Sequence, residues 1–164
     1  MAIIARDAGG KDFEPAPEGT HLAVCCDVVD LGMVESEWGQ KHMVQIRWQL
    51  GGEDAGTRDD GKPWLVTKRF TLSLHEKSVL RPFLEAWRGK RFTSEELDGF
   101  DLERLINACC QLQVMHAERT GKVYANVHAV MPYPKGMVRL EVADYVRAID
   151  RKEGHADDAP STDF

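Results

Sequence analysis

Ser73-Leu74-His75-Glu76-Lys77-Ser78-Val79-Leu80-Arg81-Pro82-Phe83-Leu84-Glu85-Ala86-Trp87-Arg88-Gly89 opens the stretch that decides how this chain is read, and the stretch continues to Ile106. Ser73 with Glu76 fits a capping box, the side chain of each satisfying an orphan amide of the other. Val79, Leu80, Phe83, Leu84 and Trp87 then recur at helical spacing and give one apolar stripe. Pro82 inside that pattern predicts a kink or a restart, and Gly89 predicts the stop. Thr93 with Glu96 is a second capping box, with Phe92 and Leu97 at staple spacing. Asp101 can cap a third short helix between Phe100 and Leu105. A buried apolar stripe of this kind is what a scaffold helix needs, so the block by itself assigns no chemistry.

Outward from the block, both flanks read as strand. Residues 20–30 are β-rich, with Leu22, Val24, Cys26 and Val28 on one face and Gly32 marking a bend. Residues 35–40 form a hairpin loop. Residues 41–50 alternate: His42, Val44, Ile46, Trp48 and Leu50 against Lys41, Met43, Gln45, Arg47 and Gln49. The polar set suits either a wet groove or an ordinary solvated face. Residues 51–62 are a Gly- and Asp-rich loop, and 63–72 a third strand whose Lys68-Arg69-Phe70 run sets two cations beside an aromatic that is core or stacking surface. After the block come strands at 109–116 and 123–131, joined by a turn over 118–122. Val123, Ala125, Val127 and Ala129 form one face of the last strand; Tyr124, Asn126 and His128 form the other. Residues 137–149 fit a helix or, from 137 to 142, a strand.

Three strands, a helical block and two strands is the order of the OB-fold, a five-stranded Greek-key barrel. The expected fold class is therefore mainly β with a helical insertion between strands 3 and 4. The expected organisation is an arm over 1–18, the OB domain over 19–136, an extension over 137–152 and an acidic tail over 153–164. In OB-folds the strand 2–3 face and the loops 1–2 and 4–5 bind ligand. Here those zones hold Trp38, Lys41, Arg47, Lys68, Arg69, Arg119, Lys122 and Tyr124, cations and aromatics suited to phosphate contact and base stacking.

The 164 residues carry a net charge of −6, which opposes a simple polyanion binder. Four acids, Glu153, Asp157, Asp158 and Asp163, lie in the tail with no Lys or Arg; setting them aside leaves 23 acidic against 21 basic side chains, a net of −2. No apolar run approaches the ~18 residues of a membrane span, and the apolar start is too short for a signal peptide. A cytoplasmic protein is expected. Cys25-Cys26 and Cys109-Cys110 lack C-x-x-C spacing, and adjacent strand residues point to opposite faces, so each pair sends one thiol inward. Buried free thiols and a metal site with His116 or His128 are the two readings, and the first is preferred, with no metal and no cofactor.

The runs Arg69-Phe70-Thr71-Leu72-Ser73-Leu74-His75-Glu76-Lys77, Trp87-Arg88-Gly89-Lys90-Arg91-Phe92-Thr93, Gly99-Phe100-Asp101-Leu102-Glu103, Gly121-Lys122-Val123-Tyr124-Ala125-Asn126-Val127 and Pro134-Lys135-Gly136 resemble a family of bacteriophage and prophage OB-fold single-stranded DNA-binding proteins. Before strand 4 the family has Leu-Gly-x-Pro-Cys where this chain has Leu105-Ile106-Asn107-Ala108-Cys109. The tail is similar to the acidic tip of bacterial single-stranded DNA-binding proteins, with Asp163 in place of a Pro before the terminal Phe164. The resemblance implies a non-enzymatic protein of phage replication and recombination in a bacterial host cell. Single-stranded DNA would be its ligand, and Asp157, Asp158, Asp163 and Phe164 would dock replication or recombination proteins. A homo-oligomer is compatible with this reading. The alternative is a protein-interaction accessory of a phage recombination or assembly system.

Overall fold

Pro82 decides where the long helix begins. A proline lacks an amide proton and its ring clashes with the carbonyl four residues back, so it is tolerated only in the first helical turn. In the computed structural model, which describes residues 14–52 and 55–151, helix α1 accordingly spans Leu80–Arg88. The capping box at Ser73 does not form. The Ser73 hydroxyl instead accepts from the His75 amide at 3.1 Å in a turn, and Ser78 Oγ accepts from Arg81 N. Gly89 ends α1 in the left-handed region at φ 76°, its amide donating to Glu85 O. Helix α2, Ser94–Asp98, carries the full Thr93–Glu96 capping box. A 3-10 turn, Leu102–Leu105, follows with Asp101 as its cap.

Five antiparallel strands surround this block in sequence: β1 (Gly19–Ser36), β2 (Gly39–Gly51), β3 (Leu65–Thr71), β4 (Cys109–Arg119) and β5 (Lys122–Pro132). Their order in the sheet is β3-β2-β1-β4-β5. The expected closed Greek-key barrel is thereby corrected: the hydrogen-bonded sheet is open, with β3 and β5 as its edges. β3 is only seven residues long, and what reaches β5 from it is a side chain, Lys68 Nζ donating to Val127 O at 3.4 Å. A charged side chain at an edge blunts strand addition.

Two bulges change which residues face the core. Between Cys25 and Asp27 the β1–β2 register shifts, so Ala23, Cys25 and Val28 join the core side while Val24 and Asp27 turn to the other face. This departs from the parity expected for β1. A second shift beside Gln113 and Val114 leaves His128 unpaired on β5, so Val127 and Val130 are both buried. Gly32, at φ 70°, sits at a third shift after Asp30.

The core lies between the sheet and the helical block. Trp48 and Phe70 from β2 and β3 meet Phe83 of α1 at ring separations of 5.8 and 4.8 Å, and Trp48 meets Trp87 at 5.8 Å. Trp87 Nε1 donates to Cys109 O. All four cysteines are free and buried. Cys25 and Cys110 belong to the core, whereas Cys26 and Cys109 face the opposite side of the sheet; burial pushes the Cys26 thiol up to about 12. Residues 14–18 lie against β4 and β1: Ala16 is buried, Glu18 accepts from the His116 amide, and His21 donates to Pro17 O.

Candidate functional site: a strapped sheet face and a protruding hairpin

What covers the second face of the sheet is residues 137–151. They form neither the helix nor the strand that their pattern allows, but an irregular strap ending in a 3-10 turn, Ala148–Asp150. Its centre is Asp27, which is 0% exposed. An ionised carboxylate at such a position must be saturated with donors, and Asp27 is. Tyr145 Oη donates at 2.7 Å, Arg147 Nε at 3.0 Å and the Ala148 amide at 2.9 Å. Burial raises the Asp27 carboxyl, but those donors and the Arg147 charge more than offset it, and the group lies below the usual carboxylate range. Arg147 also clamps both oxygens of Glu103 at 2.7 and 2.8 Å, which holds Glu103 low as well.

The strap is pinned along its length. Gln49, 5% exposed, pairs with the Ala143 backbone as a strand would: Gln49 Nε2 donates to Ala143 O at 2.6 Å and the Ala143 amide donates to Gln49 Oε1 at 2.8 Å. Leu140 lies so close over Gly51 that a Cβ there would sit 2.6 Å from its Cδ1. The Tyr145 hydroxyl accepts from Arg47 Nη1 at 3.0 Å while donating to Asp27. Burial and the bond to Asp27 raise this phenol to about 12, so it stays a donor at neutral pH. Tyr145→Phe removes both bonds at once. It is expected to lower unfolding free energy by about 1–3 kcal/mol, read from urea denaturation; a change under ~0.5 kcal/mol counts against the strap as a stabilising element.

The sequence-derived residues are distributed as follows. Arg47 lies on the strapped face, bonded to Gln45 and Tyr145. Lys68 pairs with Ile46 in register and so projects to the core side, its Nζ 5.7 Å from the Phe70 ring centre. Arg69, opposite Gln45, is exposed on the Arg47 face. Arg119 stacks on Tyr124 at 5.5 Å by the β4–β5 turn, where Lys122 pairs with Arg119 in register. Trp38 and Lys41 belong to the far end of the β1–β2 hairpin. Arg47 and Lys68 thus point to opposite faces, and the β2 surface that would have been a wet groove is the one beneath the strap. Asp157, Asp158, Asp163 and Phe164 lie outside the described residues.

The end of the β1–β2 hairpin has no neighbour strand on either side. β4 pairs with β1 only as far as Val24, and β3 pairs with β2 only from Met43 onward. Residues 32–41 are therefore a two-stranded ribbon. Asp30 Oδ1 braces its base through the Gly32 amide and His42 Nε2, both within 2.8 Å. At the tip, Ser36 Oγ donates to Gly39 O and accepts from the Trp38 amide. The backbone there is fixed while the indole is 84% exposed; Met33, on the same ribbon, is 59% exposed.

Asp27, Tyr145, Arg147 and Glu103 are not among the site residues expected from sequence. The available signal was an acid inside the apolar run Cys25-Cys26-Asp27-Val28-Val29, since buried carboxylates need partners. No helix among the described residues is long and apolar enough to cross a membrane. No protein-family model and no curated protein matches the chain. The likeness to phage OB-fold proteins does not hold, because the sheet is open at β3 and β5. The single-stranded DNA-binding function inferred from it falls for the same reason.

Proposed function

We propose that this chain is a non-catalytic protein-binding module that presents the tip of its β1–β2 hairpin to a protein partner. The observation that carries the reading is Trp38, an almost fully exposed indole on a backbone fixed by Ser36 and Gly39. Tryptophan is enriched among residues that dominate interface energy, and a large rigid side chain on a preordered turn loses little entropy on docking. The strap supports the same reading from the other side, because it anchors β1 and β2 and so holds the base of the ribbon.

Trp38→Ala tests this. Binding to the captured partner is expected to fall at least tenfold, equivalent to about 1.4 kcal/mol or more. Stability should stay within about 0.5 kcal/mol of the parent, as for an exposed residue away from packed contacts. Affinity capture from lysate of the producing cells, with parent and variant side by side, supplies the comparison. Equal capture by both, or no saturable partner for the parent, rejects the hairpin as the working surface.

A further inference from the structure

Arginine side chains and phenylalanine rings converge beside α1. Between α1 and the 3-10 turn Leu102–Leu105 opens a cavity of about 310 Å³ whose lining includes Trp87, Phe92 and Phe100 together with Arg88, Arg104 and Arg139. The two rings meet edge to face at 5.1 Å. Arg88 lies over Phe92 at 4.9 Å, and Arg104 over Phe100 at 5.2 Å.

Only one of the three guanidiniums has a carboxylate among the described residues, Arg88 Nη2 to Glu96 at 2.9 Å. Arg88 Nη1 is buried without a hydrogen-bond partner there. Among the described residues, the Arg139 side chain donates only to the Asn107 carbonyl, and the Arg104 side chain only stacks. An apolar floor beside two arginines, Arg104 and Arg139, that have no carboxylate partner among the described residues fits an aromatic side chain flanked by carboxylates.

The chain itself contains a segment of that chemistry. Ala156-Asp157-Asp158-Ala159-Pro160-Ser161-Thr162-Asp163-Phe164 has three carboxylates, one aromatic and no cation. The strap that leads into it passes near the cavity, where Arg139 is part of the lining. Arg147 clamps Glu103, the sequence neighbour of Arg104, and thirteen residues follow Arg151. Extended, thirteen residues reach about 43 Å at roughly 3.3 Å each, far more than the few residues' distance from Glu103 to the cavity rim.

We propose that this cavity is the docking site for the chain's own Asp157–Phe164 segment, with Phe164 on the Phe92–Phe100 floor and the aspartates against Arg104 and Arg139. The proposal is independent of the hairpin reading, since neither Trp38 nor Met33 lines the cavity.

A fluorescent peptide of residues 156–164 tests it by anisotropy against two full-length proteins. One is the parent. In the other, Asp157→Asn, Asp158→Asn, Asp163→Asn and Phe164→Ala remove the internal competitor without touching any described residue. The peptide is expected to bind the second protein at least tenfold more tightly than the first, and more weakly as salt rises. Adding Arg104→Gln and Arg139→Gln to the second protein should cost at least tenfold, with melting temperature followed in parallel. A Phe164→Ala peptide, which leaves every protein intact, should lose binding to the same extent. Equal affinity for both proteins overturns docking within the chain. So does a concentration-dependent dimer of the parent that the peptide dissolves, because it places the segment on a second copy. Indifference to Phe164 in the peptide overturns the cavity as the site.

Discussion

Arg147→Ala is expected to lower the unfolding free energy by about 3 kcal/mol, the low end of what removing one partner of a buried ion pair costs. Asp27 is fully buried, and Arg147 is its one cationic partner within salt-bridge distance among the described residues. The low end applies because Tyr145 and the Ala148 amide still donate to the carboxylate. The same substitution frees Glu103, but that partner is half-exposed and adds little. A second outcome is built into the geometry: the strap can peel away and let water reach Asp27, which caps the loss at the free energy of strap docking. Urea denaturation gives the global value, and hydrogen exchange at the Ala148 amide distinguishes strap release from global unfolding. A variant with parental stability and a protected Ala148 amide removes the clamp from the account of the fold.

The clamp should also be acid-labile in a defined direction. The carboxyls of Asp27 and Glu103 both lie below their ordinary values in the folded chain. The unfolded chain therefore binds more protons in the window below about pH 4, and stability rises with pH across that window. The contribution is fully present at neutral pH and is lost as pH falls through the folded values. In Arg147→Ala the slope below pH 4 should be shallower, because less of the Asp27 depression survives. Equal slopes in parent and variant would show that the lowering of Asp27 owes nothing to Arg147.

What was legible in the sequence was local. Gly89 as a stop, Thr93 with Glu96 as a reciprocal cap and Asp101 as a cap each depend on residues within a few positions of one another, and each stands in the structure. Alternation along β2 placed Val44, Ile46 and Trp48 together, and they share the core. The failures arise where a distant contact or an extra residue intervenes. Ser73 satisfies the local rule for a cap, yet Pro82 moves the helix start six residues on, with Val79 in the cap position. The bulge beside Cys26 inverts the faces of β1, and no period-two pattern encodes that shift. The strap depends on Tyr145 and Arg147 meeting Asp27 across more than a hundred residues. The open edge at β3 was equally hidden, because strand order fixes neighbours but does not dictate whether the last pair closes.

Trp48→Ala should be the most destabilising change in the core, at about 3–5 kcal/mol. The indole is 0% exposed and touches both Phe83 and Trp87 of α1, so it joins the centre of the sheet to the helix. Truncation removes those ring contacts and leaves a void that the flanking β1 and β3 ladders cannot close by collapse. Trp48→Phe is expected to cost less than half as much. Phenylalanine keeps most of the ring contact, and it deletes Nε1, which is buried without a hydrogen-bond partner among the described residues. Relieving an orphan donor offsets part of the lost packing. Trp38→Ala is the internal control, since both tryptophans sit on the same hairpin and only Trp48 is buried. Urea midpoints for the three variants order the effects, with an unchanged m-value required for the comparison to be one of stability alone. If Trp48→Phe costs as much as Trp48→Ala, the orphan Nε1 is not a penalty, and the indole's second ring must supply the packing that holds α1 on the sheet.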